Sequence, residues 1–144
     1  MSAFRWPLRV YYEDTDAGGI VFYANYLKFF ERARTEWLRA AGVQQQMLAV
    51  QEQRIFVVKS TAIDYHAPAK LDDQLEITVI VRKLGRASVE FMQEAWSTGT
   101  GGARLLCSGG IRVGCVDAQG LRPAPIPAPV HDAISRFASA MATG

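Results

Sequence analysis

The sequence predicts an α+β fold, an antiparallel sheet of about five strands wrapped on one long helix. Three observations carry that prediction. Residues 24–41, "ANYLKFFERARTEWLRAA", place Tyr26, Phe29, Phe30, Ala33, Trp37 and Ala41 on one helical face. Residues 54–98 switch to the two-residue alternation of strands. Residues 122–130, "RPAPIPAPV", carry four prolines and close the run of strands with a loop.

In chain order, a first strand is expected over 5–13, "RWPLRVYYE", where Val10, Tyr11 and Tyr12 favour extended backbone and Pro7 marks an edge. "DTDAGG" follows as turn chemistry. On the long helix, Lys28, Arg32, Glu36 and Arg39 mark the outer face, with Arg32 and Glu36 spaced as an i,i+4 pair. Asn25 is the expected N-cap and Gly42 the expected C′ residue. So aromatic a helix needs a broad sheet to cover it. Residues 44–53 read as a weaker helix or loop. Strands are expected over 54–68, 74–85 and 86–98, the last two joined at Leu84-Gly85-Arg86, and over 103–120 with a kink or bulge at Gly109-Gly110. "HDAISRFASAMA" ends the chain as a short helix. No repeat or low-complexity linker divides residues 1–144, so one domain is expected.

Bulk properties narrow the function. A chain of 144 residues buries roughly two-thirds of its unfolded surface. The net charge of +2 is too small to argue for nucleic acid, yet leaves basic side chains to meet a small anion. Two cysteines, Cys107 and Cys115, form no CxxC or Cys/His cluster, so zinc has no support. "MSAFRWPLRV" lacks a leader's apolar core and no apolar run is long enough to span a membrane. The expectation is a cytoplasmic protein with reduced thiols.

Several chemistries lack their motifs. There is no GxSxG, because Ser108 stands in "LCSGG", and no GxGxxG or P-loop. Neither His66 nor His131 has a nucleophile nearby in sequence; a strand histidine and a helix-end histidine are the expected roles. Glu13, Asp14 and Asp16 cluster in "EDTDAGGIVFYANY", but the next residues add no oxygen ligand for calcium or magnesium. No metal and no cofactor is expected.

That same stretch is the candidate site. Asp16 lies in a Gly-rich turn just ahead of a helix, whose first N–H groups are unpaired and carry a partial positive charge. Such donors stabilise a forming oxyanion, and a carboxylate beside them can attack a carbonyl or activate water. Gly18 and Gly19 remove side chains where a substrate would approach the backbone. A thiolate leaves readily, so a thioester suits this equipment without a Ser-His pair. A plain structural turn held by Asp16 explains the same residues.

"VYYEDTDAGGIVFYANYLKFFERARTEWL" closely resembles the active-site segment of hotdog-fold acyl-CoA thioesterases of the 4-hydroxybenzoyl-CoA thioesterase family, most of all the YbgC branch associated with the Tol-Pal system. "FVVKSTAIDYHAPAKLDDQLEI" resembles the branch's next strands, and the likeness runs from residue 4 to about 120. The resemblance implies a hotdog fold, a central helix wrapped by a curved sheet. It implies catalysis by Asp16, with the Tyr23 backbone N–H polarising the thioester carbonyl, and assigns Asp14 to the turn. One departure stands out: branch members often carry His where this chain has Tyr23.

The implied substrate is an acyl-CoA, with acyl carrier protein as a further partner. CoA phosphates require basic groups, for which Lys59, Arg82, Lys83 and Arg86 are candidates, against a solvated hairpin end as the alternative. Phe22, Tyr26 and Phe56 are candidates for the acyl slot, against ordinary core packing. Glu31, beside Arg34 and Thr35, reads as a surface ion-pair residue rather than a second catalytic acid. Hotdog domains usually join sheets edge to edge with sites between subunits, which implies a homodimer or homotetramer. Two other functions fit the fold: a non-catalytic acyl-carrier or envelope-complex binding partner, and a hydratase. The hydratase pattern wants a His about five residues after the Asp, where this chain has Ile20, Val21 and Phe22.

Overall fold

The central helix forms because its apolar side chains recur every three or four residues and find one continuous surface. In the computed structural model, which describes residues 4–99 and 101–143, that helix is α1 (Asn25–Ala40). Tyr26, Phe29, Phe30, Ala33, Trp37 and Leu38 of α1 are all buried. The other elements are β1 (Phe4–Arg9), α2 (Gln45–Glu52), β2 (Arg54–Tyr65), β3 (Gln74–Leu84), β4 (Ser88–Ser97), β5 (Arg104–Asp117) and α3 (Ala128–Thr143). The strands form one antiparallel sheet in the order β1-β3-β4-β5-β2. The fold is therefore α+β as expected. Met1, Ser2 and Ala3, part of the stretch read as lacking a leader, lie outside the described residues.

The alternation of β4 shows how the sheet meets α1. Val89, Phe91, Gln93 and Ala95 are buried while their neighbours are half exposed. Trp37 packs edge-on against Phe91 at 5.9 Å and against Phe137 of α3 at 5.0 Å, so α3 closes the core beyond the C-terminal end of α1. At that end Gly42 takes φ +95°. Its N–H donates to Arg39 O, and the Val43 N–H donates to Leu38 O. This is the Schellman arrangement, with Leu38 and Val43 both buried beneath it.

Four expectations are corrected. β1 stops at Arg9, not residue 13, because the Val10 backbone pairs with Asp72 and Asp73 and Tyr12–Asp14 then form a 3-10 turn. Asn25 is not the N-cap: Ala24 holds that place without a side-chain cap, and the Asn25 amide turns to Asp14 instead. Gly109 and Gly110 pair in unbroken register on both sides; the irregularities fall at Lys59, Arg82 and Leu106. Gly109 is needed for clearance, since a Cβ there would lie 2.8 Å from Ala62 O. The last helix starts at Ala128, inside the proline-rich run, with Pro129 at its first turn where no N–H partner is missed.

Candidate functional site

The acidic stretch separates into three different residues once folded. Glu13 is exposed within the 3-10 turn rather than ending a strand. Asp14 is buried; its Oδ2 accepts the Tyr11 N–H and its Oδ1 accepts the Asn25 amide, both at 2.8 Å. Its own carbonyl accepts the Phe22 N–H. Asp14 thus ties the end of β1 to the start of α1 across the loop. Among the described residues no group of three or more His, Cys, Asp or Glu side chains is placed to hold a metal.

Asp16 stands at the exposed tip of that loop, which isolated bridges close between Thr15 and Val21 and between Ile20 and Lys70. Its Oδ1 accepts the Gly18 N–H at 2.8 Å, and its backbone N–H donates to Ile20 O. A Cβ on Gly18 would come 3.3 Å from Asp16 Oδ1, and Gly19 has φ +79°. The two glycines therefore shape the turn that presents the carboxylate. Seven residues on, the Tyr23 N–H donates to no group among the described residues, and α1 begins two residues later. The loop sets the exposed Asp16 carboxylate and an unpaired helix-entry N–H in one short segment anchored at Asp14.

Aromatic rings surround this segment. Tyr11, Tyr12, Phe22, Tyr23 and Tyr65 are exposed, an unusual density of ring surface facing water. A concavity beside them is lined by Ile20, Tyr23, Tyr26, Tyr65 and His66. Tyr65 Oη donates to the Tyr23 carbonyl at 3.0 Å, which holds the peptide just after the open N–H. Tyr26 Oη accepts the Ala69 N–H at 3.2 Å, and burial pushes its phenol above the ordinary value.

Two contacts of this surround are not legible in the sequence. Tyr65 is 42 residues from Tyr23, and nothing in the alternation of β2 signals the contact. His66 does have a hydroxyl partner: its Nε2 lies 2.8 Å from Ser108 Oγ, because β2 and β5 pair. No carboxylate holds its other ring nitrogen among the described residues, so the pair lacks a triad's third member.

The basic candidates fall elsewhere. Arg82 and Lys83 lie eight and nine residues along β3 from Gln74, roughly 25–30 Å from the strand end nearest the Asp16 loop. Arg82 pairs with Glu90 at 3.2 Å and lies against the Met92 sulfur. Arg86 is in the β3–β4 turn and Lys59 is the bulged residue of β2. Within one chain none of the four reaches Asp16, whereas Lys70 is brought to the loop by its bridge with Ile20. Phe56 also departs from its expected place: it lines a separate cavity beside Arg34, Leu38 and Val58.

Residues 18–103 match the thioesterase superfamily, and the chain belongs to that family. It is 44% identical over 132 residues to the acyl-CoA thioesterase YbgC of Haemophilus influenzae, covering 92% of this chain and 94% of that protein. It is likewise 44% identical to the acyl-CoA thioester hydrolase YbgC of Escherichia coli O157:H7, covering 88% of this chain and 91% of the relative. Its fold superposes on a 4-hydroxybenzoyl-CoA thioesterase complexed with 4-hydroxybenzoyl-CoA with a TM-score of 0.85 over 93% of this chain and 99% of the other, at 20% identity. The fold is thus that of the hotdog thioesterases.

Proposed function

We propose that the chain hydrolyses acyl-CoA thioesters to the free acid and CoA, with Asp16 as the catalytic carboxylate and the Tyr23 N–H as the oxyanion donor. The observation that carries this reading is the pairing, in one anchored loop, of an exposed carboxylate with an unpaired N–H at a helix entrance. The YbgC relatives, thioester hydrolases by name, supply the substrate class. The thioester carbonyl oxygen accepts from the Tyr23 N–H and takes up negative charge as the carbonyl carbon becomes tetrahedral, where that donor stabilises it. Asp16 either attacks that carbon or removes a proton from the water that does. Collapse of the intermediate breaks the C–S bond, and CoA leaves as the thiolate. Where Asp16 has attacked, water then cleaves the resulting anhydride to free the acid and restore the carboxylate; where Asp16 has taken the water's proton, that proton passes to the thiolate. The tyrosine at position 23 leaves this chemistry intact, because the donor is main chain.

Two copies are needed to complete the site. β2 is an edge strand whose outer side pairs with no strand among the described residues, and Val58–Ala62 at its middle are exposed. The opposite edge, β1, is short and carries Pro7, which blunts it. Antiparallel pairing of two β2 edges about a two-fold axis near mid-strand would lay Phe56–Val58 of one copy beside Ile63–Tyr65 of the other. The same inversion would carry Lys59 and the Arg82–Arg86 end of one sheet toward Asp16 of the partner subunit, where CoA phosphates must be met.

The decisive experiment is thiol release from a panel of acyl-CoAs by the wild-type chain and by Asp16→Asn. The expected loss is about 1,000-fold in kcat with the melting temperature retained. An Asp16→Asn variant with wild-type turnover would overturn the reading. Acyl-CoA binding by the wild type without thiol release would instead favour a non-catalytic binding role.

A further inference from the structure

A second cavity, of about 180 Å³, opens between α1 and the β2 side of the sheet. Leu38, Phe56, Val58 and Phe91 give it apolar walls, while Arg34, Glu31, Thr35 and Gln45 line its polar side. Arg34 is only 8% exposed and makes no ion pair among the described residues. Its Nη1 donates to Gln93 Oε1 at 3.0 Å, and the fully buried Gln93 donates in turn to Phe30 O at 3.0 Å. This bond orients the guanidinium and leaves its other N–H groups without a protein acceptor among the described residues.

A guanidinium withdrawn from water without a carboxylate is costly to keep, and an apolar side chain would fill the same core position at less cost. Its donor fork fits a carboxylate in particular. Glu31 attracts the guanidinium through space but makes no bond to it: its Oε2 accepts the Thr35 hydroxyl at 2.8 Å, on an exposed residue at the cavity rim. The cavity has room for a short chain with a polar end.

We propose that Arg34 is the specificity residue of the acyl pocket and that it reads a carboxylate at the far end of a short acyl group. The substrates are then CoA thioesters of short dicarboxylic acids. This rests on the thioesterase reading and on the β2 edge pairing, which brings the cavity of one copy to the Asp16 loop of the other. Glu31, the charged neighbour at the rim, opposes a second carboxylate and limits the preference.

The test compares two four-carbon acyl-CoAs, one ending in a methyl group (butanoyl) and one in a carboxylate (succinyl). Wild-type kcat/KM is expected to favour the carboxylated substrate by about tenfold, as a charge-assisted bond in a desolvated site allows. Arg34→Met should bring that ratio to about one. Glu31→Gln, an exposed change that cannot unfold the core, should raise the ratio by about threefold. A wild-type ratio below about three overturns the proposal, as does an Arg34→Met that loses both substrates equally. If Arg34→Met does not fold, the wild-type ratio and Glu31→Gln decide. Wild-type turnover in Asp16→Asn would sink the thioesterase site itself. Silence in Asp16→Asn together with a low ratio would sink this proposal alone.

Discussion

Asp14 and Asp16 are two residues apart, and the structure turns one inward and one outward. Asp14 accepts two hydrogen bonds while buried, from the Tyr11 N–H and the Asn25 amide. Asp14→Ala leaves both donors unmatched and should cost on the order of 3 kcal/mol in urea denaturation. It should also lower thiol release, since the loop that presents Asp16 loses its anchor. Burial pushes the Cys107 thiol up to about 12 from an ordinary value of 9.0. Between those values the unfolded chain gives up a proton that the folded chain keeps. The unfolded state then binds fewer protons, so stability falls as pH rises through that window, by about 1.4 kcal/mol per pH unit for this group. Urea midpoints at pH 8 and pH 10 measure it, with the lower midpoint expected at pH 10. Cys115 and Tyr26, both raised by burial, act in the same direction.

At the scale of elements, β5 is the strand that both neighbours depend on, since it pairs with β4 on one side and β2 on the other. Gly109 sits where a side chain would press on β2: a Cβ there meets Ile63 Cδ1 at 2.3 Å and Ala62 O at 2.8 Å. The isoleucine can rotate, but the carbonyl cannot move without disturbing the ladder. Gly109→Ala should therefore destabilise by about 1–3 kcal/mol in thermal or denaturant melting. Gly110→Ala should cost less, because its nearest neighbour is the Met92 sulfur at 3.6 Å. Helix α1 is held by its face and by its C-terminal Schellman closure at Gly42. Its N-terminus carries no side-chain cap, and the Tyr23 N–H, one residue before the N-cap Ala24, donates to no group among the described residues.

For the whole molecule, the Asp16 loop and the Arg34 cavity border opposite ends of the same edge strand. Tyr65 lies at one and Phe56 at the other, nine residues and roughly 30 Å apart. A single chain cannot join them, whereas two chains paired along β2 can. Light scattering is expected to give the mass of a dimer or tetramer, and specific activity should fall on dilution in step with that mass. A monomer with full specific activity would remove the edge-pairing scheme.

The elements and the turn were legible in the residues alone. Periodicity located α1 and the strands because apolar spacing is a local property, written in consecutive residues. The Gly-rich turn after "YYED" marked Asp16 as a candidate for the same reason, and the family likeness supplied the expectation of its chemistry. Element ends were less legible. Asn25 read as a cap because the pull of Asp14, eleven residues away, is not visible from its neighbours. The Gly-Gly pair read as a bulge because the crowding at Gly109 comes from Ile63 on another strand. Strand pairing, by contrast, is what brings Tyr65 under Tyr23 and His66 to Ser108. It also decided that Lys59, Arg82, Lys83 and Arg86 lie far from Asp16 within one chain. Those relations depend on which strands pair and in what register. That is a property of the closed sheet, and no local stretch of sequence carries it.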